Sequence, residues 1–217
     1  MPFNTPAKNL MLEALDEALA TGIDFVGVHT LTDPGTGTNA TGTEATGGSP
    51  AYARQGVVWG AAAAEIKQNT NTITIDVPAG TYGFFTWWNA GTGNTGNYLG
   101  YAPINGTVRG FATVDTVLTN DQFLSPGHGL ANTDRVMLYN VLGTTLVTGV
   151  SEGTVYFAVN VATDTFKVSL TSGGAAVDLT AVAGGEAYFE KVIPETFASQ
   201  GQLTIAAAAL TLDLTGV

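Results

Sequence analysis

The sequence predicts an all-β fold: a β-sandwich domain with one N-terminal helix, interrupted by an inserted small β-barrel or sandwich. Three observations lead there. Charged residues make up 12% of the 217, about half the usual ~25%, while Gly contributes 28 and Thr is abundant. Short runs of β-branched and aromatic residues alternate with Gly, Pro, Asn and Asp turn formers, which suits a pleated surface. Residues 116–186 differ in style from what precedes them, and the first style resumes in AYFEKVIPETFASQGQLTIAAAALTLDL. The expected organisation is a discontinuous domain, residues 1–115 and 187–217, around an inserted domain of residues 116–186.

The helix is expected from residue 6 to about residue 20. Thr5 precedes Pro6, the order of an N-cap and a first-turn proline, and Gly22 stands where a left-handed C-cap belongs. Met11, Leu12, Leu15, Ala18 and Leu19 share one stripe, opposite Glu13, Asp16 and Glu17. That stripe fits either the chain's own sheet or a neighbouring subunit. Strands follow at Asp24–Leu31, Tyr52–Trp59, Thr72–Val77, Tyr82–Asn89, Tyr98–Ile104 and Thr107–Val114. Between the first two lies LTDPGTGTNATGTEATGGSP, a loop too long for a compact domain unless it is functional or a surface arm. It lacks the Gly-Lys-Ser or Gly-Lys-Thr ending of a phosphate-cradling loop.

GFFTWWNA, residues 83–90, breaks the usual alternation. Phe84 and Trp88 point to one face of a strand, Phe85 and Trp87 to the other. A strand apolar on both faces is either covered by two layers or presents one face to another subunit; a sugar-stacking platform is a third option. The inserted stretch carries short strands near Thr116–Thr119, Arg135–Val141, Thr154–Asn160, Thr165–Leu170 and Val177–Leu179, with turns between them. Near the end, Leu203 and Ile205 differ in parity from Leu210, Leu212 and Leu214, so a bulge or tight turn is expected within Ala206–Ala209.

Composition also excludes functions. The net charge of −11 with only seven Lys and Arg repels phosphate backbones, so no nucleic-acid partner is expected. Cysteine is absent, which removes disulfides and thiolate metal sites. The N-terminus lacks a basic start and apolar run, so synthesis in the cytoplasm without a signal peptide is expected; no membrane insertion is expected either.

Catalysis is not expected. The two histidines, His29 and His128, have no nucleophile elbow, and no metal-ligand spacing or acidic calcium loop occurs. No catalytic, cofactor-binding or metal residue is therefore assigned. Five side chains are candidates for an interface: Leu12, Leu15, Leu19, Phe85 and Trp87. Glu44 and Arg54, among the few charges of that half, form a candidate structural pair pinning the long loop to the sheet. His128, in a Gly-flanked turn, is expected to bond the loop backbone.

Residues 26–64, VGVHTLTDPGTGTNATGTEATGGSPAYARQGVVWGAAAA, resemble a segment recurring in structural proteins of tailed bacteriophages, notably those of actinobacteria. IDVPAGTYGFFTWWNA and PETFASQGQLTIAAAALTLDL are similar to the same group. The inserted stretch resembles the small FCCH-like β domain through His128-Gly129-Leu130, Asp134-Arg135-Val136, Tyr156, Phe166 and Gly173-Gly174-Ala175-Ala176. Where that pattern often has Gly-Asp, this chain has Thr133-Asp134. The resemblance implies a non-enzymatic virion component, with a capsid-surface decoration or minor capsid protein favoured. A minor tail protein or a carbohydrate-binding adhesin is the alternative. Its partners would be the major capsid protein or tail proteins and copies of itself, a trimer being favoured, with the helix and the Thr32–Pro50 arm reaching across.

Overall fold

The structure, a computed structural model, describes residues 5–14, 22–32, 34–35, 37–105, 108–115, 120–141, 145–180 and 186–215. It is all-β with one short helix. The chain divides into two compact units, one formed by residues 1–30, 34–101 and 196–217, the other by residues 102–195 with residues 31–33.

The first unit opens with helix α1, Thr5–Ala14. Its five-stranded sheet is built around β5, Gly80–Trp88, which pairs antiparallel with β1, Phe25–Thr30. Outside β1 lies the two-residue β2, Gln55–Gly56; β6, Tyr98–Pro103, and β13, Glu195–Phe197, also pair with β5. Two antiparallel ladders complete the unit. In one, β4, Ile73–Val77, pairs with β14, Gly201–Ile205; in the other, β3, Ile66–Gln68, pairs with β15, Thr211–Asp213. The parity change near the end is a turn between these two ladders, with Ala208 at φ 62°.

The long expected strand at Tyr52–Trp59 contracts to β2 and an isolated bridge at Trp59, with side-chain bonds taking the place of part of the ladder. Trp59 Nε1 donates to the Ile23 carbonyl (2.7 Å), and Asn71 brackets the backbone at Gly56 and Val58. The β1–β5 register explains the double-faced aromatic strand. Phe84 and Trp88 are fully buried, while Phe85 and Trp87, opposite the buried Val28 and Val26, are half-buried on the other face.

The second unit is a closed six-stranded antiparallel barrel. In chain order its strands are β7 Arg109–Val114, β8 Phe123–Leu124, β9 Arg135–Asn140, β10 Val155–Val159, β11 Thr165–Ser169 and β12 Glu186–Val192. Around the barrel they run β10-β11-β8-β7-β12-β9, and β9 closes on β10. Phe166 sits at the centre of the core, stacked on Phe123 and edge-on to Phe189, with ring centroids 5.4 Å apart in both pairs. The borders expected at residues 116 and 186 lie further out, at Ala102 and Glu195. The reason is closure: β7 and β12 supply the two strands without which the sheet would keep open edges. Val177–Leu179, expected as a strand, is irregular, although Leu179 is buried in the barrel core. Thr116–Thr119 lies outside the described residues.

Candidate functional site

Two constellations stand out, one in each unit. The first is a buried charged cluster under the long arm. Arg54 Nε donates to Glu44 Oε1 (2.7 Å) and Nη2 to Glu44 Oε2 (2.8 Å), a two-point fork. Its Nη1 donates to the carbonyls of Ala90 (3.0 Å) and Gly93 (2.8 Å), and the guanidinium lies 3.2 Å from the centroid of a Trp88 ring. The pair singled out in the sequence is thus the keystone of a larger cluster.

The rest of that cluster is equally well satisfied. Tyr52 donates its hydroxyl to Glu44 Oε1 (2.8 Å) and accepts from the Val28 amide (2.9 Å). Trp88 Nε1 donates to Thr86 Oγ1 (2.9 Å), which lies 3.2 Å from His29 Nδ1. Gly27 makes this approach possible. A Cβ there would meet Thr86 Oγ1, Trp88 Nε1 and Tyr52 Oη, each at 2.9 Å. Burial lowers His29 to a pKa of about 4, so the ring is neutral at pH 7. Burial pushes the Glu44 carboxyl up, but hydrogen bonds from Arg54 and Tyr52 outweigh it and leave the group below its ordinary value.

This cluster fastens the arm to its own unit. Thr30 N bonds Thr43 O and Ala45 N bonds Val28 O, both at 2.9 Å, so the returning part of the arm lies along β1. Asn94 clasps Ala40 by both its amide and its carbonyl (2.7 and 2.8 Å), and Tyr98 Oη donates to Gly35 O (2.8 Å). The described part of the arm, expected to reach across to other subunits, is therefore tied back at several points along its length.

The helix is fastened in the same way. Lys8 Nζ pairs with Glu65 (3.0 Å), Asn9 Oδ1 accepts from the Glu65 amide (2.8 Å), and Glu13 pairs with the buried Lys67. Leu12, a candidate for an interface, is instead buried within the chain at 1% exposure. Leu10 and Met11 face solvent, so the stripe is rotated from its expected position. The sequence pattern missed this because Lys8 and Glu13 turn toward β3 and its flanks, placing charged residues on the packed side. Leu15 and Leu19 lie outside the described residues.

The second constellation is on the outer wall of the barrel. In the ladder β7-β12-β9, Phe111 is paired with Tyr188 and Tyr188 with Tyr139. Side chains alternate along each strand, so Gly110, Ala112, Ala187, Phe189 and Leu138 point inward and these three rings form one outward row. Phe111 and Tyr188 are 43% and 50% exposed and meet edge to face at 5.8 Å. The next outward row pairs Arg109 with Glu190 and Glu190 with Met137. Arg109 Nη2 lies 3.3 Å from Glu190 Oε1; the Tyr139 hydroxyl lies 3.8 Å from Met137 Sδ and favours the charged form of the Glu190 carboxylate. Burial raises Glu190 above the ordinary carboxylate range despite both partners. Met137 is buried, and the other five, Phe111, Tyr188, Tyr139, Arg109 and Glu190, line a groove of about 440 Å³.

None of these five residues was singled out from the sequence. The available signal was weak: one aromatic at an outward position in each of three segments far apart in the chain. His128 behaves as expected. Its Nδ1 accepts from the Leu130 amide (3.0 Å), which leaves Nε2 to donate to Ala162 O (2.9 Å), stapling two loops of the barrel. Among the described residues no group of three or more His, Asp or Glu is placed to hold a metal ion. No protein-family model, curated protein or solved structure matches the chain.

Proposed function

We propose that this chain is a non-enzymatic structural component of a tailed-phage virion, a capsid-surface decoration or minor capsid protein that binds the capsid lattice. The observation that carries the proposal is where the first unit places its buried charge. Arg54 and Glu44 fix a glycine- and threonine-rich surface arm, while Lys8 and Lys67 fix a surface helix. Fixing exposed segments in defined positions presents a preformed surface, the arrangement that docking to a repeating shell requires. The resemblance of residues 26–64 to phage structural proteins points the same way.

The partners proposed are the major capsid protein and further copies of this chain, with a trimer suited to three-fold positions. Leu10 and Met11 of α1, at 71% and 46% exposure, and Val58 at 56% supply apolar surface for such contacts. The half-buried Phe85 and Trp87 supply more. Gold-labelled antibody against this chain, imaged on intact particles that encode it, tests the assignment. Label over the capsid supports it; particles that carry no label, with no peptide of this chain in their digest, refute it. Label confined to the tail would favour the alternative of a minor tail protein or carbohydrate-binding adhesin. The exposed aromatic row on the barrel favours that second reading.

A further inference from the structure

We propose that the groove formed by Phe111, Tyr188 and Tyr139 with Arg109 and Glu190 is a binding site for a neutral glycan. The inference is independent of where in a particle the chain resides. It rests on the chemistry of two adjacent rows. Three aromatic side chains at directly paired positions span two strand spacings, about 10 Å, long enough for a disaccharide. Aromatic rings offer flat apolar faces to the C–H face of a pyranose.

The second row lies two residues along each strand, about 7 Å away, where the ring hydroxyls would fall. There Arg109 can donate, Glu190 can accept and the Tyr139 hydroxyl can do both. These groups are already held against one another, so little conformational freedom is lost when a ligand engages them. A purely apolar partner would leave the Arg109–Glu190 pair desolvated and poorly used. Two rows of complementary character side by side match a sugar, which is apolar on one face and rimmed with hydroxyls.

Charge selects among sugars. The chain carries a net charge of −11, and within the groove Glu190 balances the charge of Arg109, so no net positive charge is offered to an anion. Polyanionic glycans and nucleic acids are therefore repelled, and a neutral hexose polymer is the fitting class. The groove volume of about 440 Å³ falls within the ~300–1,000 Å³ of ordinary small-ligand sites.

Native gel electrophoresis of the full chain in gels cast with hydroxyethyl cellulose, galactomannan or polygalacturonate tests the proposal. The expected result is retardation by a neutral polymer and none by polygalacturonate. Phe111→Ala and Tyr188→Ala each weaken the interaction at least about tenfold, a loss of ~1.4 kcal/mol. Glu190→Gln weakens it too, whereas Trp87→Ala, in the other unit, leaves it unchanged. Both rings are exposed, so the alanine variants are expected to keep the wild-type melting temperature. Should they not, side-chain NMR of labelled Phe and Tyr in the wild-type chain, titrated with galactomannan oligosaccharides, must show shifts confined to Phe111, Tyr139 and Tyr188. The proposal falls if neither neutral polymer retards the wild-type chain, or if polygalacturonate retards it more strongly. It also falls if folded alanine variants are retarded as the wild type is. Finally, a Tyr188→Ala change that converts a dimer to a monomer in light scattering, with no glycan retardation, would identify a self-association surface and overturn it.

Discussion

The two units solve the same problem, stabilising a β structure without disulfides, by opposite means. The barrel closes its hydrogen-bonded sheet on itself and fills the interior with Phe123, Phe166 and Phe189. The first unit leaves its sheet open and fastens the surrounding segments with buried polar groups, Arg54, His29, Lys8 and Lys67 among them. Apolar packing inside the closed sheet carries most of the barrel's stability. Polar fastening makes the first unit specific in shape and sensitive to the loss of any one partner.

The tryptophans allow this comparison to be tested cleanly. Trp59, Trp87 and Trp88 are the three in the chain and all belong to the first unit, so tryptophan fluorescence reports that unit. The largest effect is expected from Phe166→Ala, which empties the centre of the barrel and costs ~3–5 kcal/mol. Denaturant unfolding followed by far-UV circular dichroism should reveal it, while the tryptophan transition stays where it was. Arg54→Ala should do the reverse. It strips a half-buried carboxylate of its guanidinium, and with the Glu44 side chain 24% exposed the cost is about 2–4 kcal/mol. Arg54→Lys should recover only part of that, since an ammonium cannot make the fork to Glu44 and reach both carbonyls.

Acid should separate the units next. His29 has a folded pKa of about 4 against an ordinary 6.5, so the unfolded chain binds the extra proton between those values. The His29 contribution is fully present above pH 6.5 and is lost as pH falls toward 4, by on the order of 3 kcal/mol. Glu44, held below its ordinary value, withdraws its contribution at still lower pH. Thermal melts by tryptophan fluorescence from pH 7 to 4 check this, and His29→Asn should flatten the curve. The smallest expected effect lies in the barrel. Thr133 is exposed and held at φ 75°, a conformation unfavourable for a β-branched residue. Thr133→Gly should raise barrel stability by roughly 0.5–1 kcal/mol, read as a higher denaturation midpoint.

Local chemistry was legible in the sequence and register was not. Glu44 and Arg54 could be paired because few other charges stood nearby, and His128 could be placed because its glycine neighbours announce a turn. The double-faced strand at Phe84–Trp88 was visible from alternation alone. The limits of the barrel were not, since β7 and β12 look like ordinary strands until their pairing with each other is known. The same holds for the groove. Phe111, Tyr139 and Tyr188 become one row only through two ladders joining residues far apart in the chain, and pairings at that separation leave no local trace. The helix stripe misled for a different reason: Lys8 and Glu13 look like solvent residues until their partners Glu65 and Lys67 are seen.

The pairing of β7 with β12 has a mechanical consequence. These are the first and last strands of the barrel, they run antiparallel, and Arg109 near the entrance stands opposite Glu190 near the exit. The two ends of the unit thus emerge side by side, the arrangement that lets a domain be spliced into another chain. It also determines how the unit answers tension. A pull on the flanking backbone loads the Arg109–Glu190 end first and peels the ladder one hydrogen bond at a time, instead of shearing all of its bonds together. The closed sheet therefore yields to force at its seam, and the stretch of chain it releases would act as a slack reserve for whatever the molecule is anchored to.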